Sequence, residues 1–155
     1  MSSGITQRAS VDADVSNGTV VATIVGALAI LVSGWVHFYL YFRGGYRGIA
    51  PDSVLGLTIS RSFAMNAIAA VVLAEALLLG LRYRALLGPA AALSIGFGIA
   101  TLVAYFLSRT RGLLGFEESA TTTEAVIAMA AEVVAIAALV PVALKELRAR
   151  RRPAP

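Results

Sequence analysis

Four apolar stretches, about 19–42, 53–81, 85–107 and 124–144, follow one another with only short basic, glycine-bearing or amphiphilic connections between them. About 20 apolar residues carry a helix across the hydrocarbon of a bilayer, where every backbone N–H and C=O must find its partner inside the segment. With their short tails and connections the stretches account for the 155 residues, and no segment between them is long enough for a separate soluble catalytic domain. Charge agrees: 14% of the residues are charged and 58% hydrophobic, whereas a soluble domain carries about 25% charge. The expected fold is therefore all-α, a polytopic membrane protein built as a four-transmembrane-helix bundle with the lipid bilayer as its solvent.

Residues 1–18 form a polar tail with Arg8, Asp12 and Asp14 and no apolar face. The first apolar stretch is too long for a signal-peptide core and should be retained as a span. After the turn Arg43-Gly44-Gly45-Tyr46-Arg47-Gly48, Pro51 and Asp52 read as a helix start with Ser53 as a further capping candidate, and the second helix should end near Leu81. Arg82-Tyr83-Arg84 makes a tight basic turn. One of Thr121, Thr122 and Thr123 should cap the fourth span, with Glu124 in its first turn where the helix dipole favours a negative charge. Pro141 should kink or end that span, and 145–155 reads as a basic tail.

Twelve of the thirteen basic residues are Arg, which together with the Ala, Val and Gly content suggests a GC-rich bacterial genome. Four spans place both termini on one face, with Arg8, Arg82, Arg84, Lys145, Arg148, Arg150, Arg151 and Arg152; the other face holds Arg43, Arg47, Arg109 and Arg111. The positive-inside rule then puts both termini in the cytoplasm of a multi-pass protein of the inner (plasma) membrane. The C-terminal run should favour anionic lipid. No aromatic residues interleave it, so nucleic acid is not the expected partner. Without Cys there are no disulfides or thiolate sites.

Charged residues inside spans mark function or packing locks. Arg61 would lie ~13 Å into a helix begun near Asp52, and Glu132 ~12 Å below Glu124, so the two could pair if spans two and four are neighbours. Arg61, Met65, Ile68, Val72 and Glu75 share a face, with Asn66 beside it, and the two charges at its ends are ~21 Å apart. Glu132 serves either as part of a structural ion pair or interhelical hydrogen bond, or as a proton-handling or ligand site. His37, the single His, shares a face with Ser33 and Tyr41, while Trp35, Tyr39 and Tyr41 suit an interfacial belt. A lone His is a poor metal or haem site, and no metal or cofactor is expected.

In the outer loops Arg47 or Arg111 could meet Asp52, Glu117 or Glu118, or contact a headgroup or partner. Small residues at Gly88, Ala92, Gly96, Ala100 and Ala104, and at Ala125, Ala128, Ala131 and Ala135, offer close helix approach. No nucleotide-binding, zinc-protease or nucleophile-elbow motif occurs, so no catalytic residue is assigned.

The first-span end VHFYLYFRGGYRGI and the loop SRTRGLLGFEE resemble those of small, largely uncharacterised four-span integral membrane proteins of actinobacterial type, and size and layout are similar to DoxX-like proteins. The expected role is structural or accessory, in a homo-oligomer or a larger membrane complex. The alternative is a small proton-linked carrier or ligand-binding membrane protein using Arg61, Glu132 and His37.

Overall fold

The computed structural model describes residues 16–49 and 56–151. Four helices make the fold: α1 (Asn17–Phe42), α2 (Ile59–Arg82), α3 (Arg84–Thr110) and α4 (Thr123–Arg151). Each is long and apolar enough to cross a membrane. The chain is thus an all-α four-helix bundle of the multi-pass membrane type.

Going round the bundle the order is α1, α2, α3, α4, with α1 packed most closely against α2 and α4, and with α2 and α4 at opposite corners. The start of α1, the end of α4 and the Tyr83 turn share one end, which we call the terminal end. There Lys145 Nζ donates to Ser16 and Thr19 at 2.8 and 2.9 Å, and Arg84 pairs with the buried Glu146. Residues 43–49, 56–58 and 111–122 lie at the opposite, loop end.

Inside lipid, burial from water does not drive helix association, so close van der Waals approach must hold the helices together. The contact surfaces are correspondingly small-grained. A Cβ on Gly34 would come within 2.4 Å of the Ala70 Cβ, and one on Gly26 within 2.5 Å of the Leu139 side chain. Ala27, Ile30, Ala74, Leu77, Leu87 and Ala91 fill the centre between these contacts.

Several expectations are corrected. Helix α2 starts at Ile59, where Thr58 Oγ1 accepts the Arg61 N–H at 3.2 Å; Pro51, Asp52 and Ser53 lie outside the described residues. Arg61 therefore stands in the first turn, exposed, with its guanidinium on the Gly56 carbonyl, and not ~13 Å down the helix. Because α2 and α4 occupy opposite corners, the Arg61–Glu132 pair does not form. At Pro141 the helix loses one ladder bond but continues to Arg151, so Lys145 and Glu146 belong to α4 and not to a tail.

On α3 the four-residue stripe splits: Ala92, Gly96 and Ala100 are exposed, while Leu87, Ala90, Ala91, Ser94, Gly98 and Thr101 face inward. Each step of four residues overshoots a full turn by about 40°, so such a stripe drifts off any one face, whereas alternating threes and fours stay on it. On α4, Ala128, Ala131 and Ala135 do face inward. Thr122 caps that helix, accepting from Ala125 N at 3.2 Å.

Candidate functional site

At the loop end the helices carry larger and more polar side chains, and space opens between them. A cavity of about 350 Å³ lies between the outer halves of α2 and α3, under the 111–118 loop. Its wall is mostly apolar, with Phe63, Phe97, Phe116 and Tyr105, and its polar groups include His37, Asn66 and Glu118. A smaller chamber of about 60 Å³ adjoins it and reaches Glu132. His37, Phe63, Thr101, Tyr105 and Glu118 line both.

Glu132 is 4% exposed. One α4 turn beyond Ala128 toward the terminal end, it faces the adjacent α1, where Ser33 Oγ donates to its Oε1 at 2.8 Å. The Thr101 hydroxyl of α3 also lies within hydrogen-bonding reach of it. Gly98 on α3 lets that helix approach α4 at this level, where a Cβ would meet the Ile136 side chain at 3.2 Å and the Glu132 carbonyl at 3.6 Å. No Lys or Arg lines either chamber among the described residues.

One turn along α1 from Ser33, His37 places Nδ1 2.8 Å from the Ser33 carbonyl. A carbonyl only accepts, so Nδ1 carries the hydrogen and the neutral ring keeps Nε2 as an acceptor. The ring leans on Phe63, with centroids 5.2 Å apart. Phe63 in turn stacks on Tyr46 at 4.2 Å, and Tyr46 meets Phe116 edge-on at 5.4 Å.

This aromatic column carries the roof. The Tyr46 hydroxyl, in the short 3-10 turn Tyr46–Gly48, donates to Glu118 Oε2 at 2.6 Å and so ties the first loop to the third. Burial, then the hydrogen bond it donates to Glu118 and the negative charge there, push the Tyr46 hydroxyl well above its ordinary value, so it remains a donor. Arg109 fixes the same segment by donating to the Glu118 backbone carbonyl at 2.7 Å. The 113–116 turn is closed by reciprocal bonds of 2.7 and 2.9 Å between Leu113 and Phe116. Leu114 within it has φ 50°, the one positive φ outside glycine among the described residues, and its side chain lines the large cavity.

Of the charged and polar residues singled out from sequence as candidates, the structure brings His37, Asn66, Glu118 and Glu132 to the two chambers, while Arg47, Arg61, Glu75, Arg111 and Glu117 line neither. Arg61 and Glu75 are exposed on the outer face of α2 together with Met65, Ile68 and Val72. Arg47 and Arg111 are exposed too, and neither makes an ion pair with Glu117 or Glu118. Arg47 instead lies over the Phe42 ring at 5.8 Å. Asp52 falls outside the described residues. Sequence reading missed Tyr46, Thr101 and Tyr105, and gave Glu118 an arginine where tyrosine is the partner. The aromatic-plus-glycine character of both loops was the available signal for this clasp.

No protein-family model matches the chain, nor does any curated protein or any solved structure.

Proposed function

We propose that the chain is a ligand-binding membrane protein which holds a small amphiphilic molecule in the roofed cavity at its loop end. The observation carrying this reading is the cavity itself: about 350 Å³, apolar in most of its wall, with a few convergent polar groups and a buried carboxyl in the adjoining chamber. That is the composition of small-molecule sites, and bundles place such sites between helices. Arg61, far from Glu132, has no part in it. The eight-to-four distribution of basic residues supports placing both termini in the cytoplasm of the inner membrane, so that the cavity faces outward and is reached from the outer leaflet between α2 and α3.

Native mass spectrometry of the protein released from nanodiscs tests the reading. Wild type should carry a bound small molecule, and Ala104→Trp, which fills the cavity wall, should lose it. Identical adducts on both proteins would refute a ligand in this cavity.

A second reading, an accessory subunit of a homo-oligomer or larger complex, draws on one observation. Glu75 is exposed within an apolar face of α2, well inside the helix, where an unpartnered charge against lipid is costly. The chain has no Cys, so Val72→Cys gives a single reporter on that face. Oxidation in native membranes should yield a disulfide-linked homodimer if a second copy covers it, and monomer alone removes self-association through α2.

A further inference from the structure

The donors and acceptors around the two chambers are unequally distributed, and the imbalance specifies a ligand. Glu132 receives Ser33 at Oε1, Glu118 receives Tyr46 at Oε2, and no other side chain donates to the Glu118 carboxylate among the described residues. His37 presents Nε2 as an acceptor once Nδ1 is bound to the Ser33 carbonyl. The Thr101 hydroxyl has the Phe97 and Gly98 carbonyls at 3.1 and 3.0 Å, besides Glu132, to receive its single hydrogen. The Arg109 guanidinium is spent on a backbone carbonyl and makes no ion pair.

Two carboxyl groups, an imidazole nitrogen and a hydroxyl oxygen thus converge on the smaller chamber with hardly a free donor and no cation, whereas the Asn66 amide lines the larger one. An anionic head, carboxylate or phosphate, would face the Glu118 carboxylate with no cation lining the chamber to offset it. A neutral alcohol would supply one donor and no countercharge. An ammonium group supplies three donors and the missing positive charge. The smaller chamber, about 60 Å³, has roughly the volume of two water molecules at ~30 Å³ each, enough for such a head and not for a bulky quaternary one. Behind it, the ring faces of the larger chamber suit an apolar body and attract positive charge.

We propose that the ligand is a small lipophilic primary amine, with its protonated nitrogen in the smaller chamber between Glu132 and Glu118 and its apolar body among Phe63, Phe97 and Phe116. This rests on the cavity being a ligand site at all, and the test separates the two claims. Full-length protein in nanodiscs is titrated with radiolabelled 2-phenylethylamine and with its neutral isostere 2-phenylethanol, against empty discs and the Ala104→Trp protein.

The amine should bind at least about ten-fold more tightly than the alcohol, as expected for a charge-assisted over a neutral hydrogen bond. Glu132→Gln should remove that advantage while alcohol binding persists above the Ala104→Trp level, which also reports an intact cavity in the variant. Glu118→Gln should reduce it by a smaller factor. Equal binding of the two probes to wild type, or amine binding indifferent to Glu132→Gln, overturns the amine assignment and leaves the cavity reading standing if Ala104→Trp abolishes binding. Binding of neither probe above the Ala104→Trp level overturns both.

Discussion

The two ends of this bundle are built from the same four helices and behave as different materials. At the terminal end α2 turns into α3 through Tyr83 alone, and a Cβ on Gly80 would sit 2.8 Å from the Leu87 Cα, so the backbones are in contact. At the loop end Phe63, Phe97, Tyr105 and Asn66 stand where small residues stood below, and they hold the same two helices apart around a cavity. Side-chain size along a helix pair therefore sets where lipid-embedded helices seal and where they part. The sealed half fixes the geometry, and the open half uses it.

The largest effect should come from wedging the sealed end. Gly80→Val forces a branched side chain against Leu87 backbone that cannot yield; we expect a loss of about 3 kcal/mol or more, at the upper end of overpacking costs, and collapse of the fold in detergent. Unfolding monitored by circular dichroism at increasing SDS fraction would show it, and a wild-type transition would contradict the sealed-end description.

Next comes the ion pair that closes this end. Arg84→Ala strands Glu146, which is 6% exposed, at a cost of about 2 kcal/mol. Adding Glu146→Ala should recover part of the loss, and additive single losses would deny coupling between the two residues.

Opening the roof should cost less. Tyr46→Phe removes the donor to Glu118 but keeps the aromatic column, so about 1–2 kcal/mol of stability is lost. Because the folded protein holds the Tyr46 proton more tightly than the unfolded chain, this contribution is present in full below the ordinary tyrosine value of 10.0 and fades as pH rises beyond it. Tyr46→Phe should therefore flatten the alkaline limb of the stability profile; an unchanged limb would assign it to other groups.

Leu114→Asn should raise stability by roughly 1 kcal/mol by relieving a backbone that Leu adopts poorly. It should also weaken ligand retention, because the lost side chain faces the cavity. Smallest of all, Gly96→Ala should gain about 0.5–1 kcal/mol, since a Cβ there meets nothing within 4 Å and the helix prefers Ala. Destabilisation at Gly96 would mean that another protein covers this stretch of α3 in the membrane.

The helices were legible in the sequence because bilayer thickness imposes one length on every span. The α2 start was not, because Pro51, Asp52 and Ser53 imitate a cap as well as Thr58 does, and no periodicity separates the two. That displacement puts Arg61 at the helix end, and the opposite-corner placement of α2 and α4 separates it from Glu132. Glu132 was found because a carboxylate among alanines stands out in any apolar run. Its partner Ser33 lies 99 positions away, and hydroxyls are too common in spans to announce such a bond. The cavity was hidden for another reason: it is defined by what α2 and α3 fail to fill, and a linear pattern records contacts better than gaps.

The Tyr83 junction has a mechanical consequence. With one residue between them, α2 and α3 are the arms of a pair of tweezers whose pivot is at the sealed tip. An arm of 24 residues is ~36 Å long, so one degree of rotation at the pivot moves the free tips by ~0.6 Å. Five degrees would move them by ~3 Å, about the thickness of an aromatic ring. The Tyr46–Glu118 bond lies near the far ends of those arms, where leverage is greatest, and one hydrogen bond placed there restrains the aperture more effectively than the same bond would near the pivot.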